Sequence, residues 1–81
     1  MEWVEVIEQT NEYIKVKYYP EQTEPIGEFG IVTYFLSSDE WTFDKIADDY
    51  SRSYAMHACN FVRSPYKNGE EICLGGMVAW Y

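Results

Sequence analysis

Two cysteines and one histidine are all that this 81-residue chain offers of the side chains that most often bind metals or act as nucleophiles. Cys59 and Cys73 are too few for a disulfide-stapled scaffold, and neither Cys-x-x-Cys nor His-x3-His spacing occurs. No metal and no cofactor is therefore expected. His57 and Cys59 lie two residues apart, about 200° around a helix, so they cannot form a thiolate–imidazole pair. Both cysteines read as small core residues. The glycines are sparse: Gly27, Gly30, Gly75 and Gly76 match no phosphate-cradling spacing. Adjacent acids (Asp39–Glu40, Asp48–Asp49, Glu70–Glu71) face apart in helix or strand, so adjacency makes no acid–base dyad. Nothing here specifies a catalytic constellation, and a non-enzymatic role is the expectation.

Positive charge is also scarce. Six basic residues stand against fourteen acidic ones, a formal charge of −8. Such a balance repels nucleic-acid backbones and anionic membranes, which argues against direct binding to either. No apolar run approaches the ~20 residues needed to span a bilayer. Met1–Glu2–Trp3–Val4–Glu5 has neither the basic region nor the apolar run of a signal peptide, so a cytoplasmic setting with reduced thiols is expected. A chain of this length buries only ~60% of the surface its unfolded form exposes, which points to one small domain over residues 1–81.

What the chain does have is aromatic side chains: eight Tyr, four Phe and three Trp. Large rings let a small core bury much area, and surplus rings often serve interfaces. Trp3–Glu8 and Tyr13–Tyr19 alternate and are rich in β-branched and aromatic residues, the pattern of a hairpin. A three-residue loop between them puts Val4 and Val6 on one face with Ile14, Val16 and Tyr18, and sets Glu5 near Lys15 or Lys17 on the other. That outer face keeps Trp3, Ile7, Tyr13 and Tyr19. Pro20–Gly27 reads as a loop long enough to reach a non-adjacent position.

Phe29–Leu36 is a nearly continuous apolar run and reads as a central strand buried on both faces. A four-residue turn, Ser37–Glu40, then returns Trp41–Ile46 antiparallel, pairing Leu36 with Trp41 and Tyr34 with Phe43. Thr33, Thr42 and Asp44 share the opposite side. The competing reading starts a helix as early as Asp39, with Trp41 in its first turn.

Residues 49–64 carry the clearest helical stripe: Tyr50, Tyr54, Ala58, Phe61 and Val62, with Arg52, Asn60 and Arg63 on the solvated back. Asp48 and Asp49 suit the N-cap, and Ser64–Pro65 suits the close. Asn68–Gly69 signals a turn. The pattern leaves the state of Ile72–Leu74 open, Gly75–Gly76 reads as a break, and Met77–Tyr81 as a last strand.

The run Tyr54–Ala55–Met56–His57–Ala58, the Asn68–Gly69 turn and the ending Gly76–Tyr81 resemble small uncharacterised proteins of Gram-positive gut and related bacteria. Phe29–Tyr34 fits the same pattern. The resemblance covers about half the chain, implies a bacterial cytoplasmic setting and carries over no functional residue.

The expected fold is α+β: an antiparallel sheet of four to five strands with one amphipathic helix on one face, in the order β-β-β-β-α-β. The expected function is a protein-interaction or self-associating module using the aromatic sheet face, with Trp3, Tyr13, Lys15, Lys17 and Tyr19 as its surface. The alternative is an acidic inhibitor that mimics nucleic acid and blocks a basic groove of a target protein.

Overall fold

A computed structural model describes residues 2–21, 27–47 and 53–78. It has the expected class and order: β1 (Glu2–Gln9), β2 (Tyr13–Pro20), β3 (Gly30–Phe35), β4 (Glu40–Lys45), α1 (Ser53–Lys67) and β5 (Gly75–Val78). The strands form one antiparallel sheet in the order β4-β3-β2-β1-β5. α1 thus carries the chain from the β4 edge to the β5 edge. Its 15 residues rise about 22 Å, close to the about 19 Å that separates the outer strands of a five-stranded sheet.

Alternation in β1 and β2 sets the two faces. Val4 pairs with Tyr18 and Val6 with Val16, and all four point toward the helix. Glu5 pairs with Lys17 on the other side, as expected. The route to that register differs from the expected three-residue loop. The turn is tighter, closed by Thr10 donating its backbone N–H to the Tyr13 carbonyl. A bulge between Val6 and Glu8 then restores the odd offset and leaves Ile7 unpaired and exposed. Pro20 belongs to the end of β2, opposite Glu2, rather than to the loop.

β2, not β3, is the central strand. The apolar run of β3 has a different cause: its helix side enters the core through Val32 and Tyr34, while Ile31 and Phe35 lie half-buried on the open side. β2 and β3 are neighbours, so the segment between them does not lead to a non-adjacent position; its residues 22–26 lie outside the described residues. Tyr18 pairs with Gly30 and lays the hydroxyl end of its ring over that glycine, where a Cβ would come within 2.3 Å of Tyr18 Cζ. The Tyr18 hydroxyl then accepts the Ala47 backbone N–H at 3.2 Å, tying the chain beyond β4 to the core.

Residues 40–45 form a strand, which removes the early-helix reading. The turn is Leu36–Asp39, and the pairing is Tyr34 with Trp41 and Val32 with Phe43, two residues from the expected register. A shift of two keeps every side chain on its face. Asp39 explains the shift, because it takes the left-handed conformation (φ 56°) that a short acidic residue tolerates and donates its N–H to the Phe35 carbonyl.

Among the described residues the helix runs from Ser53 to Lys67, ending later than the expected residue 64. Asp48, Asp49, Tyr50 and Arg52 lie outside the described residues. The buried stripe is Ala55, Ala58, Cys59 and Val62, with Tyr54 and Phe61 half-buried beside it. Small residues at its centre let the helix approach the bulky Ile14, Tyr18 and Tyr34. Each fully buried aliphatic here contributes on the order of 1.5–3 kcal/mol.

Pro65 sits inside the last turn instead of ending the helix. It has no N–H to give to the Phe61 carbonyl. The close comes at Gly69 (φ 71°), where Gly69 N–H reaches the Tyr66 carbonyl and Glu70 N–H reaches the Pro65 carbonyl. Those two bonds make a Schellman close.

Ile72–Leu74 has no regular structure, although the Leu74 carbonyl accepts the Val6 N–H at 2.9 Å. Gly75 and Gly76 are strand residues in β5 rather than a break. Ala79–Tyr81 lie outside the described residues.

Candidate functional site

The helix packs on β1, β2 and β3 from one side, and no described element packs on the other. That open face is built in cross-strand rows. One row runs Glu5, Lys17, Ile31, Lys45 across β1 to β4. The next, toward the hairpin turn, runs Glu8, Lys15, Thr33, Thr42. Trp3 and Tyr19 form a pair on the far side of the first row, and Tyr13 pairs with Phe35 at the other end.

All five residues expected at an interaction surface lie on this face. Trp3, Tyr13, Lys15 and Lys17 are half-buried; Tyr19 is not available as a free ring, being only 5% exposed. Phe29 meets it, with ring centroids 5.9 Å apart. The Trp3 indole donates to the Glu5 carboxylate at 3.1 Å. Tyr13 meets the edge of Phe35 at 6.2 Å, and its hydroxyl is pushed up from its ordinary value by hydrogen bonding to Glu8 first, then by desolvation. Lys15 stands 4.0 Å from Glu8.

Sequence reasoning missed Phe29 and Lys45. The Lys45 ammonium lies 3.7 Å from the Phe29 ring centroid, and that of Lys17 lies 4.0 Å from it and 5.2 Å from that of Tyr19. Each such contact is worth about 0.5–1 kcal/mol at an exposed site. Among the described residues neither lysine has a carboxylate within 4.0 Å. No sequence period could have linked these residues, since they lie on β2, before β3 and at the end of β4. Asp44 is the acid nearest Lys45 in sequence, and it is taken by the Thr33 and Thr42 hydroxyls.

On the helix side a carboxylate gathers the cations. Asp39 accepts a two-pronged bond from Arg63, both contacts at 2.9 Å, and the Tyr34 hydroxyl at 2.5 Å, with Lys67 at 3.7 Å. Arg63 therefore does not lie on a solvated back; it clasps the β3–β4 turn to α1. The Arg63 guanidinium, then the Tyr34 hydroxyl, hold the Asp39 carboxyl well below the usual carboxylate range. Burial, then the bond to Asp39, pushes Tyr34 up to about 12. An open hollow of about 290 Å³ beside Asp39, Glu40 and Trp41 meets a carboxylate already committed to these partners.

The thiols divide. Cys59 is fully buried, and burial, with the charge of Glu2 adding, pushes it up to about 12, the reverse of an activated nucleophile. Cys73 is exposed, not a core residue, and its thiol lies 3.2 Å from the Gly75 carbonyl. Glu2 itself is fully buried. His57 lies half-buried on α1. Among the described residues no group of three His, Cys, Asp or Glu side chains could hold a metal ion, and no helix is long and apolar enough to cross a membrane.

Comparison with protein-family models, with curated proteins and with solved structures gives no match.

Proposed function

We propose that this protein is a non-enzymatic interaction module that binds a protein partner, a second copy included, through its open sheet face. One observation carries the reading. Three of the six basic residues of a chain with net charge −8, Lys15, Lys17 and Lys45, are gathered on that face among aromatic rings. Aromatic rings with a few charges are what protein interfaces favour. Two groups that could serve chemistry are otherwise engaged: the Cys59 thiol is buried, and the Asp39 carboxyl is held by Arg63.

The test compares wild type with a Trp3→Ala, Tyr13→Ala double variant by light scattering and by capture of proteins from a bacterial lysate. Association by wild type, lost in the variant while circular dichroism stays native, supports the reading. A strict monomer that retains no protein ends it.

The acidic-inhibitor reading has one favouring observation. Gathering the lysines on the open face, with Arg63 and Lys67 at Asp39, leaves the rest of the described surface predominantly acidic. It predicts capture of a nucleic-acid-binding protein at low salt and its release at high salt.

A further inference from the structure

We infer that the partner of the open face is a second copy of the same chain, packed face to face about a two-fold axis that runs parallel to the strands between β2 and β3. This rests on the reading of that face as an interaction surface and adds the identity and geometry of the occupant.

The cross-strand rows of the open face are complementary to themselves when reversed. A two-fold axis along the strands maps each row onto itself in reverse, so β1 meets β4 of the other copy and β2 meets β3. The row Glu5, Lys17, Ile31, Lys45 is acidic at its β1 end and basic at its β4 end. Reversed on itself, it sets Glu5 over Lys45 twice. Lys17 and Lys45, neither within 4.0 Å of a carboxylate among the described residues, thereby stand in a row whose acid reaches one of them. Lys17 meets the apolar Ile31, along which its methylene stem can lie.

The rings follow the same rule. Tyr19 on β2 and Phe29 ahead of β3 exchange places across the axis, as do Tyr13 and Phe35. Pairs that already touch within one chain become four-ring clusters between two.

The other face-to-face symmetry fails on charge. An axis across the strands lays β2 on β2, which brings Lys15 and Lys17 against Lys15 and Lys17, and sets the β1 acids against each other. Sheets packed face to face about the strand-parallel axis keep an angle near −30° and a spacing of about 10 Å, which long Lys, Glu and Tyr side chains can bridge.

Two terms make the dimer weak. The sheet face offers only about 400–500 Å² per copy, below the about 800 Å² of a standard interface. Each copy also carries −8, so association belongs at physiological ionic strength, where repulsion is screened beyond about 8 Å.

The experiment is sedimentation of the full chain from about 1 µM to about 1 mM, the span over which a weak dimer with a micromolar Kd forms. Wild type should pass from monomer to dimer. Glu5→Lys alone and Lys45→Glu alone should each weaken dimerisation at least about tenfold, because like charges then meet twice. An equimolar mixture of these two variants should dimerise again, since both contacts become complementary in the mixed pair.

A mixture no more associated than its separate components overturns the inference, as does a wild type monomeric throughout. A photocrosslinker in place of Lys15 separates that failure from failure of the interaction reading. Monomeric wild type that still crosslinks to another protein loses the dimer and keeps the interaction face. Monomeric wild type that crosslinks to nothing loses both, and a dimer indifferent to both charge reversals ends the inference, with crosslinking from position 15 to another protein then deciding the interaction reading.

Discussion

The two faces of this sheet handle positive charge in opposite ways. On the helix side a carboxylate, Asp39, collects Arg63, Lys67 and the Tyr34 hydroxyl. On the open side an aromatic ring, Phe29, collects Lys17 and Lys45. A carboxylate answers a cation with a full charge and closes the site. A ring answers with a quadrupole worth far less, leaving the ammonium able to take an anion. The first arrangement locks a turn to a helix. The second leaves a surface short of negative charge in a molecule that has an excess of it.

The largest effect expected from testing this contrast is at Gly30. Gly30→Ala drives a methyl to within 2.3 Å of Tyr18 Cζ, at the hydroxyl end of a fully buried ring on the helix side. It should cost about 3 kcal/mol in urea unfolding, as forced overpacking does. A loss under about 1 kcal/mol would mean that the helix side is no more rigid than the open face, and the contrast would break.

Next in size is the acid limb of the Asp39 clasp. The folded-state pKa of Asp39 lies below its unfolded value, so the unfolded chain binds the extra proton as pH falls. This contribution is fully present above about pH 5 and is lost progressively in stronger acid. The D39N variant should be less stable than wild type at neutral pH, and its melting temperature should fall less steeply between about pH 5 and pH 2. Parallel curves would show that Arg63 and Asp39 do not act as a pair. Tyr34 works in the other direction: its folded pKa is raised to about 12, so its contribution fades as pH rises from about 10 to 12.

The smallest effect belongs to the open face. Lys17→Ala removes two cation–ring contacts, and in dilute protein it should lower stability by no more than about 1 kcal/mol. Chemical denaturation at low micromolar concentration measures it. A loss as large as that of Gly30→Ala would make Lys17 part of the fold rather than of a surface.

Much of the architecture was legible in the sequence because it follows from short periods. Val4, Val6, Ile14, Val16 and Tyr18 share a face through a period of two, and Ala58 and Val62 share one through a period of 3.6. These patterns survive local errors: the bulge at Ile7 and the two-residue shift at Asp39 changed the pairing but left Val4, Val6, Trp41 and Phe43 on the core side, and only Glu8 and Lys45, beyond register breaks, joined the open face against strict alternation. The open face was legible to the same extent, since Trp3, Tyr13, Lys15, Lys17 and Tyr19 all lie on it. Illegible were the features set by contacts between distant segments. Cys59 and Cys73 look alike in sequence, yet one lies under the helix and the other at an edge. Arg63 looks like a solvated helix residue until the β3–β4 turn delivers Asp39 to it.

By itself, then, the sequence determined the number and kind of elements and which side of each is apolar, because local geometry translates spacing directly into faces. Only the tertiary structure decided that β2 is central, that β4 and β5 are the edges, and that Phe29 receives a lysine from each of two strands. The reason is physical. Strand order and register are chosen by packing and hydrogen bonding between segments far apart in the chain, and no local period specifies which segments will meet.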